Sequence, residues 1–592
     1  MDPEKKFTKH DILLHFLSAG INISPEALEV LTQKSPKHKD VEELIREISY
    51  IPGFRLHLTL SILQHTAFYK TTTNNHPRSS NIPENEKDLA VNSLDKTLKL
   101  QHAAANPKNR EQNNSVSEAL EPTEKLNSNE TQHKLTKNQS GITPLPVPPL
   151  NLTIKPSGTK RFKAIARDFS EQIEILKDPS TDLYTSGTID DFLAMYRDRF
   201  HRLKEILYKN PEVENVYPIN QVTSRQSSTP EINVIGMVKE KKTSRSGSYI
   251  KFTLDDETGE LDILVRPDSQ NPEIFKKMNN LLNDEVIFVS GYLNVDPQKR
   301  TSILFANNII WPDVPIGHRI QIPPCDISFA MLSDLHIGSE NFLENVFQRF
   351  IKYLKGELFD TQRDLEEAGR IKYVIICGDL VDGIGVYADQ INELKITDIY
   401  QQYEKAAELL ALFPDYIKVI YIPGNHEPVR KAIPHPAVPS KYCQPILDLG
   451  VINIGDPSLV ELHGIKFLLN HGDGIIDMNN NIYGLKNNKP ADTMKEMLKC
   501  RHLSPMYGKE CTEKAPSSRD WLVIDQIPHV FHTGHMHIND LSHYNNVLLL
   551  NSGCFQAQTK FMKSLGITPT PGKVPIISVS FGKLNTTLLT LM

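Results

Sequence analysis

Apolar and polar positions change rhythm several times along the chain. Up to about residue 65, in HDILLHFLSAGINISPEALEVLTQ and DVEELIREISYI, apolar residues recur at helical spacing, with Ser24-Pro25 placed as N-cap and first helical residue. Residues 1–68 are therefore expected to form a small helical module. Over 69–154 Asn, Lys, Glu, Ser and Thr take over (TTTNNHPRSSNIPENEKD, HKLTKNQSGITPLPVPPL), leaving too little apolar area to offset chain entropy, so a disordered linker is expected. The lead-in, 155–228, is extended and helical, with a helix predicted over GTIDDFLAMYRDRFHRLKEILYKN from Thr188 as N-cap, early aspartates and late basic residues. Alternation with a period of two follows in 229–315 (INVIGMVKEKK, SYIKFTLDDETGELDILV, DEVIFVSGYLNV, SILFANNIIW), with DDETGE as a hairpin turn. From 316 to 592, five short β-branched apolar runs each stop at a polar cluster: MLSDLHIGSE, YVIICGDLVDGIG, IKVIYIPGNHEPVR, KFLLNHGDG and HVFHTGHMH. Such runs predict buried strands.

Composition narrows what these elements can do. A length of 592 residues implies several domains. The 66 Lys and Arg against 72 Asp and Glu give a net charge of −6, so any nucleic-acid binding must be local rather than the effect of a global basic field. No apolar stretch reaches the roughly 18–20 residues of a membrane span, and MDPEKKFTKHDILLHFL lacks a signal-peptide layout. A cytoplasmic protein with no membrane contact is expected. The 6 cysteines are scattered without a CxxC pair, which argues against a zinc ribbon and against a disulfide framework.

The strands of 229–315 suggest a small closed barrel, and their hairpin resembles those of OB-fold domains, whose curved strands offer a groove to a single nucleic-acid strand. Tyr249 and Phe252, with Lys239, Lys241, Lys242 and Arg245, are the candidate contacts. An interdomain barrel that binds nothing is the competing expectation.

The five later runs place Asp334 and His336, Asp379 and Asp382, Asn425 and His426, His471, and His535 and His537 at the carboxyl ends of strands, where open sheets build their sites. Singly, each has a plain explanation as a turn residue, a cap or a hydrogen-bonded histidine. Together they suit a pair of divalent ions, which neutralise a phosphate, bind its oxygens and acidify a water. Asp379, ending a central strand, is the candidate bridging carboxylate. Mixed imidazole, carboxylate and amide ligands suit manganese, iron or zinc better than magnesium.

The series D-x-H, GD-x-x-D, GNH, a lone His and GHxH resembles the signature of calcineurin-like metallophosphoesterases. That resemblance implies that Asp334, His336, Asp379 and His537 hold one metal and Asp379, Asn425, His471 and His535 the other. It makes His426 a general acid, and Asp382 a residue that orients a ligand. The flanking stretches SDLHIGS, GDLVDGIGVYADQINELKITDIYQQYEKAAELL, HTGHMH and NSGCFQAQTKFMKSLGITPTPGKVPI closely resemble the small subunits of archaeal family D DNA polymerases. The resemblance implies a multidomain α+β fold: an OB-fold barrel followed by a metallophosphoesterase α/β sandwich, with a helical module at the N-terminus. It also implies a 3′–5′ exonuclease using two divalent ions, manganese first among them, that proofreads mismatched or single-stranded 3′ ends. A large polymerase subunit and DNA would be its partners. Sliding-clamp contact stays open, since GKLNTTLLTLM carries no compelling clamp-binding peptide. Three features depart from related patterns: Gly383 stands where Ser/Thr phosphatases carry an arginine, Glu427 completes GNHE where GNHD is expected, and Cys554-Phe555 replaces a Thr-Trp pair. Two alternatives remain at this stage: a catalytically silent scaffold like eukaryotic polymerase B-subunits, and a stand-alone phosphodiesterase or phosphatase.

Overall fold

A computed structural model describes residues 162–592, apart from 245, 246, 268–271, 300, 509, 510, 565 and 581, together with 149–151 and scattered residues among the first 58. The chain divides into two units, Met1–Lys137 and Asn138–Met592. In the first, Pro25–Lys34 is a helix, and Ala27, Leu28 and Leu31 on it are buried. The expected linker lies outside the described residues except at its end, where Pro149–Asn151 form a short strand.

The second unit is built around two packed sheets. One has seven strands in the order Ile452–Asn453, Lys418–Ile422, Ile371–Cys377, Ser328–Leu332, Lys573–Ser580, Lys583–Thr590 and Pro149–Asn151. Its first four strands are parallel. The other has six, in the order Asp540–Tyr544, Val547–Asn551, Val530–Thr533, Ile465–Leu469, Ser458–Leu462 and Ile173–Lys177. Strand alternation explains the unbroken apolar runs. Phe329, Met331, Tyr373 and Ile375 face the second sheet, whereas Ala330, Leu332, Val374 and Ile376 face the helices packed on the outside. Phe329 sits 4.9 Å, ring to ring, from Phe467 across the inter-sheet core.

The lead-in contributes to this sandwich. Ile173–Lys177 pairs antiparallel with Ser458–Leu462, almost three hundred positions later in the chain. The helix Ile189–Leu207 starts with a reciprocal cap between Thr188 and Asp191, as the expected N-cap requires.

Thr229–Thr243, Ile250–Asp256, Gly259–Val265, Thr301–Ile310 and Val286–Asp296 close into a five-stranded barrel. Closure comes from the parallel pairing of Gly259–Val265 with Thr301–Ile310. Arg199, fully buried on the lead-in helix, joins barrel and sandwich. Its Nε donates to Asp520 at 2.6 Å, and its Nη1 to the carbonyls of Asp284 at 3.3 Å and Pro505 at 2.7 Å.

Candidate active site

Three parallel strands of one sheet and two of the other end side by side, and the loops leaving them interlock through backbone bonds. The amide of Asp334 donates to Gly378 O, that of His336 to Asp379 O, and that of Gly534 to His471 O. Asp334, His336, Asp379, His535 and His537 take left-handed backbone conformations, with φ of 54°, 54°, 53°, 65° and 58°. For non-glycine residues this costs on the order of 1–3 kcal/mol each, and such strain gathers where side chains must be aimed.

The aim is inward. Oδ2 of Asp379 lies 3.6 Å from His336 Nε2 and 3.4 Å from His471 Nε2, so this one carboxylate faces ligands of both expected metals. On one side, His537 Nε2 is 3.3 Å from Asp334 Oδ1 and 3.1 Å from His336 Nε2. On the other, Asn425 Oδ1 is 3.1 Å from both His471 Nε2 and His535 Nδ1, and these two nitrogens are 3.3 Å apart. Nitrogens and oxygens at this spacing converge as a shared positive charge requires, whether protons or cations supply it, so the residues fit a metal pair. For two of the histidines the tautomer agrees, because the opposite ring nitrogen is occupied: His471 Nδ1 donates to Cys377 O at 2.9 Å, and His336 Nδ1 to Asp382 at 2.9 Å. Asp382 is held in turn by Gln390 and Gln556.

Charges in the cluster balance one another. Burial works to raise Asp379, but the surrounding histidines, led by His471, hold its carboxyl well below the ordinary value. Burial works to lower His471 and His537, yet Asp379 keeps the first well above its usual range and Asp334 lifts the second to about 10.

His426 stands apart from both ligand sets. Its Nδ1 donates to the carbonyl of Asp382 at 2.7 Å, which turns Nε2 toward the cavity, 3.9 Å from Asp379 Oδ2. That cavity has a polar floor of His336, Asp379, Asn425, His426, His535 and His537, and an apolar wall of Val386, Tyr387, Ile476, Met536, Phe561, Met562 and Ile567. On the wall, Tyr387 and Phe561 stack at 5.6 Å with 13° between their planes, and Phe561 is 52% exposed.

The calcineurin-like phosphoesterase family matches residues 327–539, and the OB-fold nucleic acid binding domain family matches 232–309. The chain is 39% identical over 419 residues to a DNA polymerase II small subunit of Methanothermobacter thermautotrophicus, covering 71% of this chain and 83% of that one. It is 38% identical to that of Methanocaldococcus jannaschii, covering 72% and 70%. It is also 37% identical to that of Pyrococcus furiosus, covering 67% of this chain and 63% of the other. The chain belongs to the DNA polymerase II small-subunit family.

For this member of the small-subunit family the three departures have physical reasons. A Cβ at Gly383 would lie 2.0 Å from His426 O, so no arginine, or any other side chain, fits there. Glu427 is buried, and its carboxylate accepts from the amides of Asp379 at 3.0 Å, Leu380 at 2.8 Å and Gly424 at 2.7 Å, and from the Tyr421 hydroxyl at 2.7 Å. It therefore braces the loop that carries Asp379, although burial lifts its carboxyl to about 7. Phe555 turns away from the cavity, packing edge-on to Phe347 at 5.2 Å while its amide donates to Asp334 O at 2.9 Å.

The barrel treats its candidate residues differently. Phe252 is 1% exposed and points into the barrel core, so the expectation that it contacts nucleic acid is corrected. Lys241 is committed to carbonyls at the end of a short helix, donating to Leu281 O at 2.5 Å. Lys239 pairs with Glu260 and Lys242 with Glu240, both on the exposed surface. Tyr249 remains 40% exposed, and Arg245 lies outside the described residues.

Sequence reasoning missed Gln390, Gln556 and the bracing role of Glu427. Two buried amides turned on one aspartate leave no local pattern. Glu427, two residues after a proposed ligand, was within reach.

Proposed function

We propose that this chain is the exonuclease and scaffold subunit of a replicative DNA polymerase, removing nucleotides one at a time from single-stranded or mismatched 3′ ends. The observation that carries this reading is the convergence of two ligand sets on Asp379, with His426 and the Tyr387–Phe561 pair lining the same cavity. Asp334, His336, Asp379 and His537 would hold one divalent ion, and Asp379, Asn425, His471 and His535 the other, with manganese the best fit to the donors. When bound, such a pair supplies charge neutralisation of the phosphate and an activated water.

The chain's own residues do the rest. His426, fixed through Nδ1, carries on Nε2 the proton that goes to the departing 3′ oxygen. Phosphodiester and water thus become a shortened strand with a 3′ hydroxyl and a nucleoside 5′-monophosphate. Asp382 keeps His336 in its ligating tautomer. The stacked Tyr387–Phe561 wall suits a nucleobase splayed from its strand. A mismatched end costs less to unpair, which favours it at such a site.

The relatives' description as small subunits supports a large polymerase subunit as partner, and the OB-fold match supports DNA. Clamp contact has no supporting observation. Among the described residues no helix is long and apolar enough to cross a membrane. A phosphatase is disfavoured by Gly383, and a silent scaffold by the full set of ligands.

The test is to incubate the chain, alone and with its large subunit, with manganese and 5′-labelled single-stranded DNA. Progressive shortening from the 3′ end with release of nucleoside 5′-monophosphates is expected, faster on mismatched than on paired primers in the complex. Intact DNA in both preparations would rule out the nuclease. Equal rates on the two primers would remove proofreading alone.

A further inference from the structure

Behind the loop that carries His471 lies a second convergent cluster, which the proposed reaction does not use. His435, Asp456 and Asp473 come from three separate segments and are 0%, 1% and 9% exposed. One ligand atom from each falls within 4.8 Å of the other two. His435 Nδ1, Asp456 Oδ2 and Asp473 Oδ2 are all buried without a hydrogen-bond partner, and the first two are 3.9 Å apart. The opposite atoms are engaged elsewhere: His435 Nε2 faces Lys431 O at 3.4 Å, and Asp456 Oδ1 accepts from Asn470 Nδ2 at 2.8 Å and from the His471 amide at 3.2 Å.

Unpartnered buried polar atoms are costly, and two carboxylates brought together repel. One divalent cation removes both problems. It takes a lone pair from each of the three residues, and its charge cancels that of the two aspartates. The 3.9 Å separation is what two donors, each about 2.0–2.2 Å from a shared ion, have at a wide angle. One imidazole and two carboxylates suit manganese or zinc better than magnesium.

We propose that His435, Asp456 and Asp473 bind a further divalent cation, distinct from the pair at Asp379, that locks the loop carrying His471. The three segments are already adjacent: His435 and Asp456 exchange backbone hydrogen bonds of 2.8 and 2.9 Å, and Asp473 leads into the helix Gly474–Asn481. A cation there clamps them from within. Because Asp456 holds both Asn470 and the His471 amide, the clamp fixes the direction from which His471 approaches Asp379. The role is positioning, since none of the three residues lines the cavity at Asp379.

The test uses the full chain crystallised with manganese, with anomalous scattering measured at the manganese edge. A peak between His435, Asp456 and Asp473 is expected in addition to any at Asp379. His435→Gln should lose that peak and one manganese per chain by elemental analysis, keeping the rest. A wild-type map with only a water or a direct His435–Asp456 hydrogen bond at the cluster would overturn the proposal, as would an unchanged manganese content in a folded His435→Gln. Should His435→Gln fail to fold, the wild-type map decides. Peaks missing at Asp379 but present at His435 would instead overturn the two-metal reading and leave this one standing.

Discussion

The barrel and the sandwich both contain the residue types that bind nucleic acid or phosphate, and among the described residues they engage them differently. In the barrel, Lys239, Lys241 and Lys242 already face carboxylates or carbonyls, and Phe252 fills the core. At the sandwich loops, histidine nitrogens and carboxylate oxygens face one another across 3.1–3.6 Å. A donor satisfied within the fold stabilises that fold. Several imidazoles and carboxylates crowded onto one another exceed what hydrogen bonds among themselves can use, which leaves them to a cationic ligand.

The contrast is most exposed to Asp379→Ala. With the shared carboxylate gone, nuclease activity should fall to background and bound metal should drop, while circular dichroism stays that of a folded chain; full activity would end the two-metal reading. Next comes His426→Ala, expected to keep its metal and its DNA affinity but lose roughly 10²- to 10⁴-fold in kcat. Loss of metal in that variant would make His426 a ligand.

The joint between the two regions offers a third test. Arg199→Met strips a buried charge pair of one partner and should lower unfolding stability by about 3–5 kcal/mol, measured in urea. Acid should weaken the same joint. Burial and Arg199 depress His502 from 6.5 to about 3, so between those values the unfolded chain takes up a proton that the folded chain refuses, and stability falls as pH falls. Asp520 adds to the loss below its ordinary value of 3.8: burial works to raise it, but Arg199 and His502 hold it well below that value when folded. A His502→Gln variant whose stability changes between pH 6.5 and 4 just as the wild type's does would contradict this arrangement.

Smaller effects are expected from the wall and from the barrel surface. Phe561→Ala should weaken single-strand binding by about 1–3 kcal/mol through lost stacking, read as a higher KM, with Phe561→Tyr restoring it. Lys239→Gln, by contrast, should change neither stability nor DNA affinity measurably, because its pair with Glu260 is exposed. A marked loss of DNA affinity there would return the barrel lysines to the binding surface.

The residues of the candidate site were the easiest to single out in the chain, because strands buried on both faces leave unbroken apolar runs, and Asp or His at the end of such a run stands out. Nothing local announces that Ile173–Lys177 belongs beside Ser458–Leu462, since its partner is chosen by the sheet rather than by its own five residues. The error at Phe252 could have been avoided. Tyr249 and Phe252 are three apart in an extended stretch, so they point to opposite faces, and if one is outside the other is in the core. Lys241 could not have been read correctly, because the carbonyls it reaches belong to a helix end some forty residues on.

The left-handed residues of the site have a consequence for how this sequence can change over generations. Five positions carry aspartate or histidine in a conformation that glycine adopts freely. Glycine at any of them would relieve the backbone but remove a side chain that holds its neighbours, as Asp334 holds the His535 amide and Asp379 the His426 amide. The strain and the contacts therefore come together: these positions can shed the one only by giving up the other.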